Sequence, residues 1–301
     1  MNNNKVVYHL KDKAIWLVLI VLVVAFTIAN PRFINPSNVM TLLRQVAVFG
    51  IASIGTIMSF VNIICAYMMV KMGMNMVLAV IISLIAATAI GVLNGLMVST
   101  VGIPAIIATF ATQTAFNGLA LIICGGMPIS GFPDGFAIIG QGYIGIVPIP
   151  VIIMAVCFAI GSFVLNKTYF GRYFYAVGGN MEAAKLSGIR VGVVKYLVFA
   201  LSGLFSGLAG IVLLSRTNSG NASAATGYEF DVITCVVLGG VSITGGFGKM
   251  SGVVAGTFII GALQNGMVLM NINSYVQDIV MGIVLALAVG FDCIQKKSQQ
   301  N

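Results

Sequence analysis

The chain has 301 residues, 59% of them hydrophobic and 7% charged, with a formal net charge of +8. Soluble domains carry about 25% charged residues, so the composition excludes a water-soluble globule. It also speaks against a nucleic-acid binder, which gathers Lys and Arg on a solvated face; here they stand in short breaks between apolar runs.

Crossing a bilayer core of about 30 Å takes about 20 apolar residues, and the sequence holds many such runs. Nothing alternates with period two, as a transmembrane barrel requires. The expected fold is an all-α polytopic membrane protein of nine to ten transmembrane helices, forming a single transmembrane domain over residues 1–301.

In chain order, Lys5, Lys11 and Lys13 precede an apolar run, Ala14–Ala29, led by Trp16. The A-x-A-type cleavage pattern of a secretory signal is poor and more spans follow. The run is therefore read as an uncleaved first helix with a cytoplasmic tail. Apolar segments follow at 46–70, 76–98, 103–124, 143–165, 193–214, 231–243, 250–270 and 276–291. Residues 72–133 contain no Asp, Glu, Lys, Arg or His. Lys and Arg favour cytoplasmic loops. This rule places Lys249, Lys296, Lys297 and the charged island at 166–195 inside, and the loop 215–230 outside. Segment 231–243 is short for a span and ends in "GGVSITGGFG". Irregular backbone at membrane depth persists only when protein or a water cavity surrounds it, so this helix is expected beneath its neighbours.

"IGVLNGLMV" (90–98) resembles "IGALQNGMV" (260–268), and the charge rule puts the two in opposite senses. Inverted repeats are common in transporters, with the pathway between them. Polar groups inside spans are Asn94, Thr112, Gln113, Asn117, Gln264 and Asn265. Amides and hydroxyls suit an uncharged sugar, and these six are the candidate substrate pathway; each also serves as interhelical glue. Glu229 and Asp231 open the short helix and are read as capping its N-terminus and complementing its dipole. "GGMPISGFPDGF" (125–136) has turn-forming Gly and Pro and is expected to be an ordered external loop.

Cys65, Cys124, Cys157, Cys235 and Cys293 form no C-x-x-C pair, and His9 is the sole histidine. No disulfide framework, metal site or cofactor is expected. "GGFGKMS" (245–251) departs from the phosphate-loop spacing G-x-x-x-x-G-K-[ST], because Met250 follows Lys249 and Ile243 stands where the first glycine belongs. The chain itself is expected not to hydrolyse ATP.

The island contains "NMEAAKLSG", read as a short helix capped by Asn180. Glu182 suits its first turn, and Gly188 ends it. Ala183, Ala184 and Leu186 are read as an exposed small apolar face. Asn180, Glu182, Ala183, Ala184, Leu186 and Gly188 form a candidate docking surface, since the segment exceeds the 2–8 residues of an ordinary helix link.

"GRYFYAVGGNMEAAKLSGIRV" resembles the coupling segment of bacterial sugar ABC-importer permeases of the ribose type. "NPRFINPSNVMTLLRQ" (30–45), "GVLNGLMV" (91–98), "GGMPISGFPDGF" and "YEFDVITCVVLGGVSITGGFGK" (228–249) are similar to the same family, in the same order. The resemblance implies a multi-pass permease in the bacterial plasma membrane, with a type II importer-like bundle and a cytoplasmic coupling helix. It also implies a second permease chain, separate ATPase subunits and an extracytoplasmic sugar-binding protein. The rival readings are an ion-coupled secondary transporter and a degenerate, non-transporting paralogue. The first needs an acidic residue inside a span, for which Asp278 is the main candidate.

One departure from the family stands out. The turn of form G-G-I-D-L-S-V-G is missing, as if about fifteen residues were deleted at Ile54–Gly55. Two structures fit the remainder. A continuous helix over 45–70 would reach about 39 Å and cross. A re-entrant hairpin bent at Gly55 would return to its own side and expose backbone at the bend. Because unsatisfied backbone in hydrocarbon costs several kcal/mol per group, the continuous helix is the expectation.

Overall fold

The computed structural model describes residues 3–52 and 57–300. The Ile54–Gly55 junction lies outside them. Helices dominate: α1 (Asn3–Ala29), α2 (Pro36–Ala52), α3 (Met58–Val70), α4 (Met76–Leu96) and α5 (Ala105–Cys124) fill the first part of the chain. Short α6 (Phe136–Gln141) and a two-residue antiparallel pair, Tyr143–Ile144 with Val147–Pro148, lead into α7 (Ile149–Lys167). Then come α8 (Tyr169–Gly179), α9 (Met181–Leu186), α10 (Val191–Thr217), α11 (Tyr228–Leu238), α12 (Met250–Leu269) and α13 (Ser274–Gln300).

Among the described residues six helices are long and apolar enough to cross a membrane: α4 with its π-helical extension to Val101, α5, α7, α10, α12 and α13. Ala14–Ala29 and α3 are shorter apolar helices. The all-α polytopic architecture follows from these spans.

Helix α10 is the column of the bundle. It packs antiparallel to α4, and the two touch backbone to backbone: a Cβ on Gly91 would strike the Phe199 carbonyl, and one on Gly203 the Ala87 carbonyl. Small residues allow such approach where lipid offers no hydrophobic drive between helices. The far end of α10 is tied to α6. Ser215 Oγ accepts from the Gly140 amide at 2.7 Å and donates to the Phe136 carbonyl at 2.6 Å.

The contacts of α10 also locate α3. A Cβ on Gly210 would lie 2.7 Å from the Met58 carbonyl oxygen, and one on Gly220 would lie 2.6 Å from Ala66 Cβ. Gly210 stands seven residues before Thr217, about 10 Å down the helix, while Gly220 lies in the loop beyond its end. So α3 begins inside the bundle and climbs to the face that carries residue 220. The α2 helix descends from that same face. Asn38 and Asn265 exchange side-chain hydrogen bonds at 2.8 and 3.1 Å, and Gln45 donates to Gln264 at 2.8 Å. Asn30 donates to the carbonyl of Leu269, the end of α12, at 2.9 Å.

The continuous helix over 45–70 is thereby corrected. Two separate helices, α2 and α3, form a re-entrant pair, and Ile57 ahead of α3 has φ −103° and ψ 33°, which is not helical. The expected backbone penalty is met by cover: Val46, Ala47, Val48, Phe49, Ile51 and Ala52 are buried, as are Val61, Asn62 and Ile63. Arg44 and Lys71 therefore bracket a hairpin, not a span. This keeps the Lys-rich N-terminus on the same face as the island, as the charge rule requires.

Helix α4 runs away from the residue-220 face and α12 toward it, so the two similar segments are inverted as expected. The 125–136 loop is ordered: Ile129 pairs with Gly220 in an isolated antiparallel bridge, and Phe136 is fully buried. Helix α13 is the least covered; only 6% of its apolar window is buried.

The hairpin predicts a labelling pattern. In a cysteine-free background, Ile34→Cys and Met72→Cys should react alike with an impermeant thiol reagent, and Leu186→Cys oppositely, in intact cells compared with inverted vesicles. Opposite reactivity at positions 34 and 72 would restore the crossing helix.

Candidate functional site

Two broken elements converge on one cavity. The start of α3 and the start of α11 both open into a hollow of about 170 Å³ near the middle of α5. Its lining includes Met58, Ser59 and Phe60 from α3, with Gln113, Thr114, Phe116 and Asn117 from α5. From the other side come Thr226 ahead of α11 and Tyr228, Glu229 and Val232 within it. Discontinuous helices near the midplane are where transporters hold small polar cargo, because half-helix termini bring backbone dipoles into the bilayer without exposing them to lipid. The wall is amphipathic. Phe60 and Phe116 meet edge to face at 4.9 Å, and Tyr228 packs on Phe49 at 5.1 Å. Amide, hydroxyl and carboxylate groups stand between these rings, and no Lys or Arg lines the hollow among the described residues.

Asn117 Oδ1 is buried and has no hydrogen-bond partner. A lone buried acceptor costs about 1–3 kcal/mol. A donor entering the cavity would offset that cost.

Gln113 and Asn117, one turn apart, are the two sequence candidates that line this cavity. The other four are engaged between helices. Thr112 Oγ1 donates to Asn94 Oδ1 at 2.8 Å, joining α5 to α4. Asn265 pairs with Asn38. Gln264 links three helices: it accepts from Gln45 of α2 and donates from Nε2 to Asp231 Oδ2 of α11 at 2.9 Å. Asp231 thus bonds across helices instead of capping, and the N-cap of α11 is Gly227, with no side-chain cap hydrogen bond. Glu229 faces the cavity; neither residue caps α11 by its side chain, which corrects that expectation, although both stand in its first turn as dipole complementation requires. Asp278 does not cap α13 either; the Asn273 side chain accepts from the Tyr275 amide at 2.9 Å. Sequence reading missed Ser59, Thr226 and Tyr228, whose approach depends on the hairpin.

The island builds a second surface. Asn180 Oδ1 accepts from the Ala183 amide at 2.9 Å and caps α9, with Glu182 in the first turn. Gly188, at φ +81°, closes it: its amide donates to Lys185 O at 3.0 Å and the Ile189 amide to Ala184 O at 3.1 Å. The left-handed turn needs a residue without Cβ. One expectation fails here. Ala184 is buried against the protein itself, at 4% exposure, whereas Leu186 is 89% exposed. The face open to a partner is Ala183 and Leu186, flanked by Glu182 and Lys185. Helix α8 was not foreseen; its aromatic side chains Tyr169, Phe170 and Tyr173 stack on one another or lie exposed.

Bundle, mid-depth cavity and projecting helix together define a membrane permease component rather than an enzyme. Residues 38–289 match the family described as branched-chain amino acid transport system / permease component. The chain belongs to this family, in its ribose-type branch of multi-pass inner-membrane ABC permeases. It is 41% identical to the ribose import permease protein of Bacillus subtilis over 300 positions, covering 94% of this chain and 92% of that protein. It is 36% identical to the ribose import permease protein of Haemophilus influenzae, covering 96% and 95%. It is 42% identical to the L-arabinose transport system permease protein of Escherichia coli, covering 69% and 63%. No solved structure gives a significant match. In the Bacillus alignment, 94% of 301 residues is about 283, so about 17 of the 300 positions have no counterpart here. The shortfall is of the size of the missing turn.

Replacing Gln264 with Leu should remove both of its bonds and leave Asp231 without that donor. Such losses cost about 1–3 kcal/mol, so the purified variant should melt several degrees lower in detergent. An unchanged melting temperature would show that the three-helix link contributes nothing.

Proposed function

We propose that this chain is the membrane-spanning subunit of an importer of neutral monosaccharides. Separate ATPase subunits drive it, an extracytoplasmic binding protein supplies it, and a second permease chain completes the pathway. The named activities of its relatives, ribose import and L-arabinose transport, support the cargo class. The observation that carries the reading is the unpartnered Asn117 acceptor in a cavity of amides, hydroxyls and aromatic faces without a cation. A pyranose or furanose offers hydroxyl donors to Asn117, Gln113 and Glu229 and apolar C–H faces to Phe60, Phe116 and Tyr228.

The mechanism is alternating access. The island face is cytoplasmic by its charge: Lys167, Arg172, Lys185, Arg190 and Lys195 are concentrated there. An ATPase docks on Ala183 and Leu186, and its closure on ATP moves α8 and α9 against the bundle. The sparse cover of α13 suits either lipid or the second permease chain. The ion-coupled alternative is less well supported: Asp231 is engaged by Gln264, and Asp278 lies in the second turn of α13.

Proteoliposomes carrying the chain with its ATPase and binding protein test the reading. Asn117→Ala should cut uptake of radiolabelled ribose or arabinose at least tenfold with the complex intact. Asn94→Ala should lower melting temperature more than uptake. Equal uptake by wild type and Asn117→Ala would remove the cavity from the pathway. Absence of any sugar uptake by the wild type would favour the non-transporting paralogue. Leu186→Asp should abolish recovery of the ATPase while membrane insertion persists; Ala184→Asp would instead bury a charge and damage the fold. The chain alone should hydrolyse no ATP.

A further inference from the structure

The loop after α11 is seated on α8. A Cβ on Gly178 would lie 2.5 Å from the Gly246 amide nitrogen, and one on Gly246 would collide with Gly179 Cα. The Tyr175 hydroxyl donates to the Gly248 carbonyl at 2.9 Å. Burial pushes the Tyr175 phenol above its ordinary range, which keeps it a donor. Two backbones meet without side chains between them. Gly246 itself stands at φ +74°, where a side chain is strained.

From this contact, α11 leads to the cavity. It holds α12 through Gly239–Gly252 and Cys235–Gly256 backbone contacts and through the Asp231–Gln264 bond. Its first two turns supply Tyr228, Glu229 and Val232 to the cavity wall. At the other end of the contact, α8 continues directly into α9.

We infer that Gly178 of α8 and Gly246 of the loop form a latch that carries movement of the α8–α9 segment along α11 to the cavity. The inference rests on the docking of an ATPase at α9. Side chains would act as compliant spacers; two touching backbones transmit a displacement of about an ångström directly, because packed interiors are poorly compressible. The residues act by positioning α11, not by touching the cargo.

Adjacent glycines provide the test. A Cβ on Gly178 has no room, whereas one on Gly179 meets its nearest neighbour, Gly246 Cα, at 3.9 Å, an ordinary contact. In proteoliposomes with the ATPase and binding protein, Gly178→Ala should retain the ATPase and basal hydrolysis within twofold. It should lose stimulation of hydrolysis by sugar-loaded binding protein, and uptake should fall at least tenfold. Gly179→Ala should behave as wild type in all four readouts. Tyr175→Phe, which removes one hydrogen bond and no packing, should lower uptake per ATP hydrolysed. Full stimulation and uptake in both Gly178→Ala and Tyr175→Phe would overturn the latch. So would loss of ATPase recovery in Gly178→Ala with unchanged coupling in Tyr175→Phe, since the contact would then serve assembly. A wild-type complex that neither binds an ATPase nor takes up sugar would instead overturn the docking reading itself.

Discussion

The seam between α4 and α10 is the contact on which the remaining architecture depends. Glycines on both helices let the backbones touch at Gly91 and Gly203. In a bilayer, where apolar side chains gain little by leaving lipid, such contact is a main source of helix association. With α10 held upright, its outer half becomes a wall for α2, α3 and α6. The buried run Ile211–Ser215 lies at that level.

The wall makes a short re-entrant pair affordable in hydrocarbon. Neither α2 nor α3 is long enough to cross alone, at about 26 and 20 Å by their rise. Each is covered by α10, α5, α7 or α12. The same cover serves α11, which is only 11 residues long. Polar groups at these broken ends then find partners in one another: Asn62 Oδ1 accepts from the Asn221 amide at 3.1 Å, and Gln264 spans Gln45 and Asp231. Asn62 Nδ2 and Asn117 Oδ1 are left without partners, and of the two only Asn117 lines the cavity.

The cavity and the exposed surface of α8 and α9 lie at different depths of the bundle. The cavity lies among half-helix ends, whereas α8 and α9 stand at the end of the bundle away from residue 220. Helix α11 touches both neighbourhoods, one through its first turn and the other through the glycine loop that follows it. Close backbone contacts and the Asp231–Gln264 bond tie it to α12 between those two ends.

The sequence by itself determined much of this. Apolar run lengths set the class and most spans. Asn180 and Gly188 fixed the ends of α9, because capping is local chemistry and needs no knowledge of the fold. The inverted senses of 90–98 and 260–268 followed from the placement of lysines. Tertiary structure alone decided the rest. Whether residues 46–70 cross or turn back depended on whether neighbours could cover the bend, which no local pattern records. Whether a polar residue faces a cavity or a partner helix was equally hidden: Gln113 and Asn117 share a face with the cavity, while Thr112, one residue away, reaches Asn94. Ala184 read as exposed because small residues leave no periodic signal of burial; only the fold of α9 back onto the bundle put it inside and left Leu186 exposed.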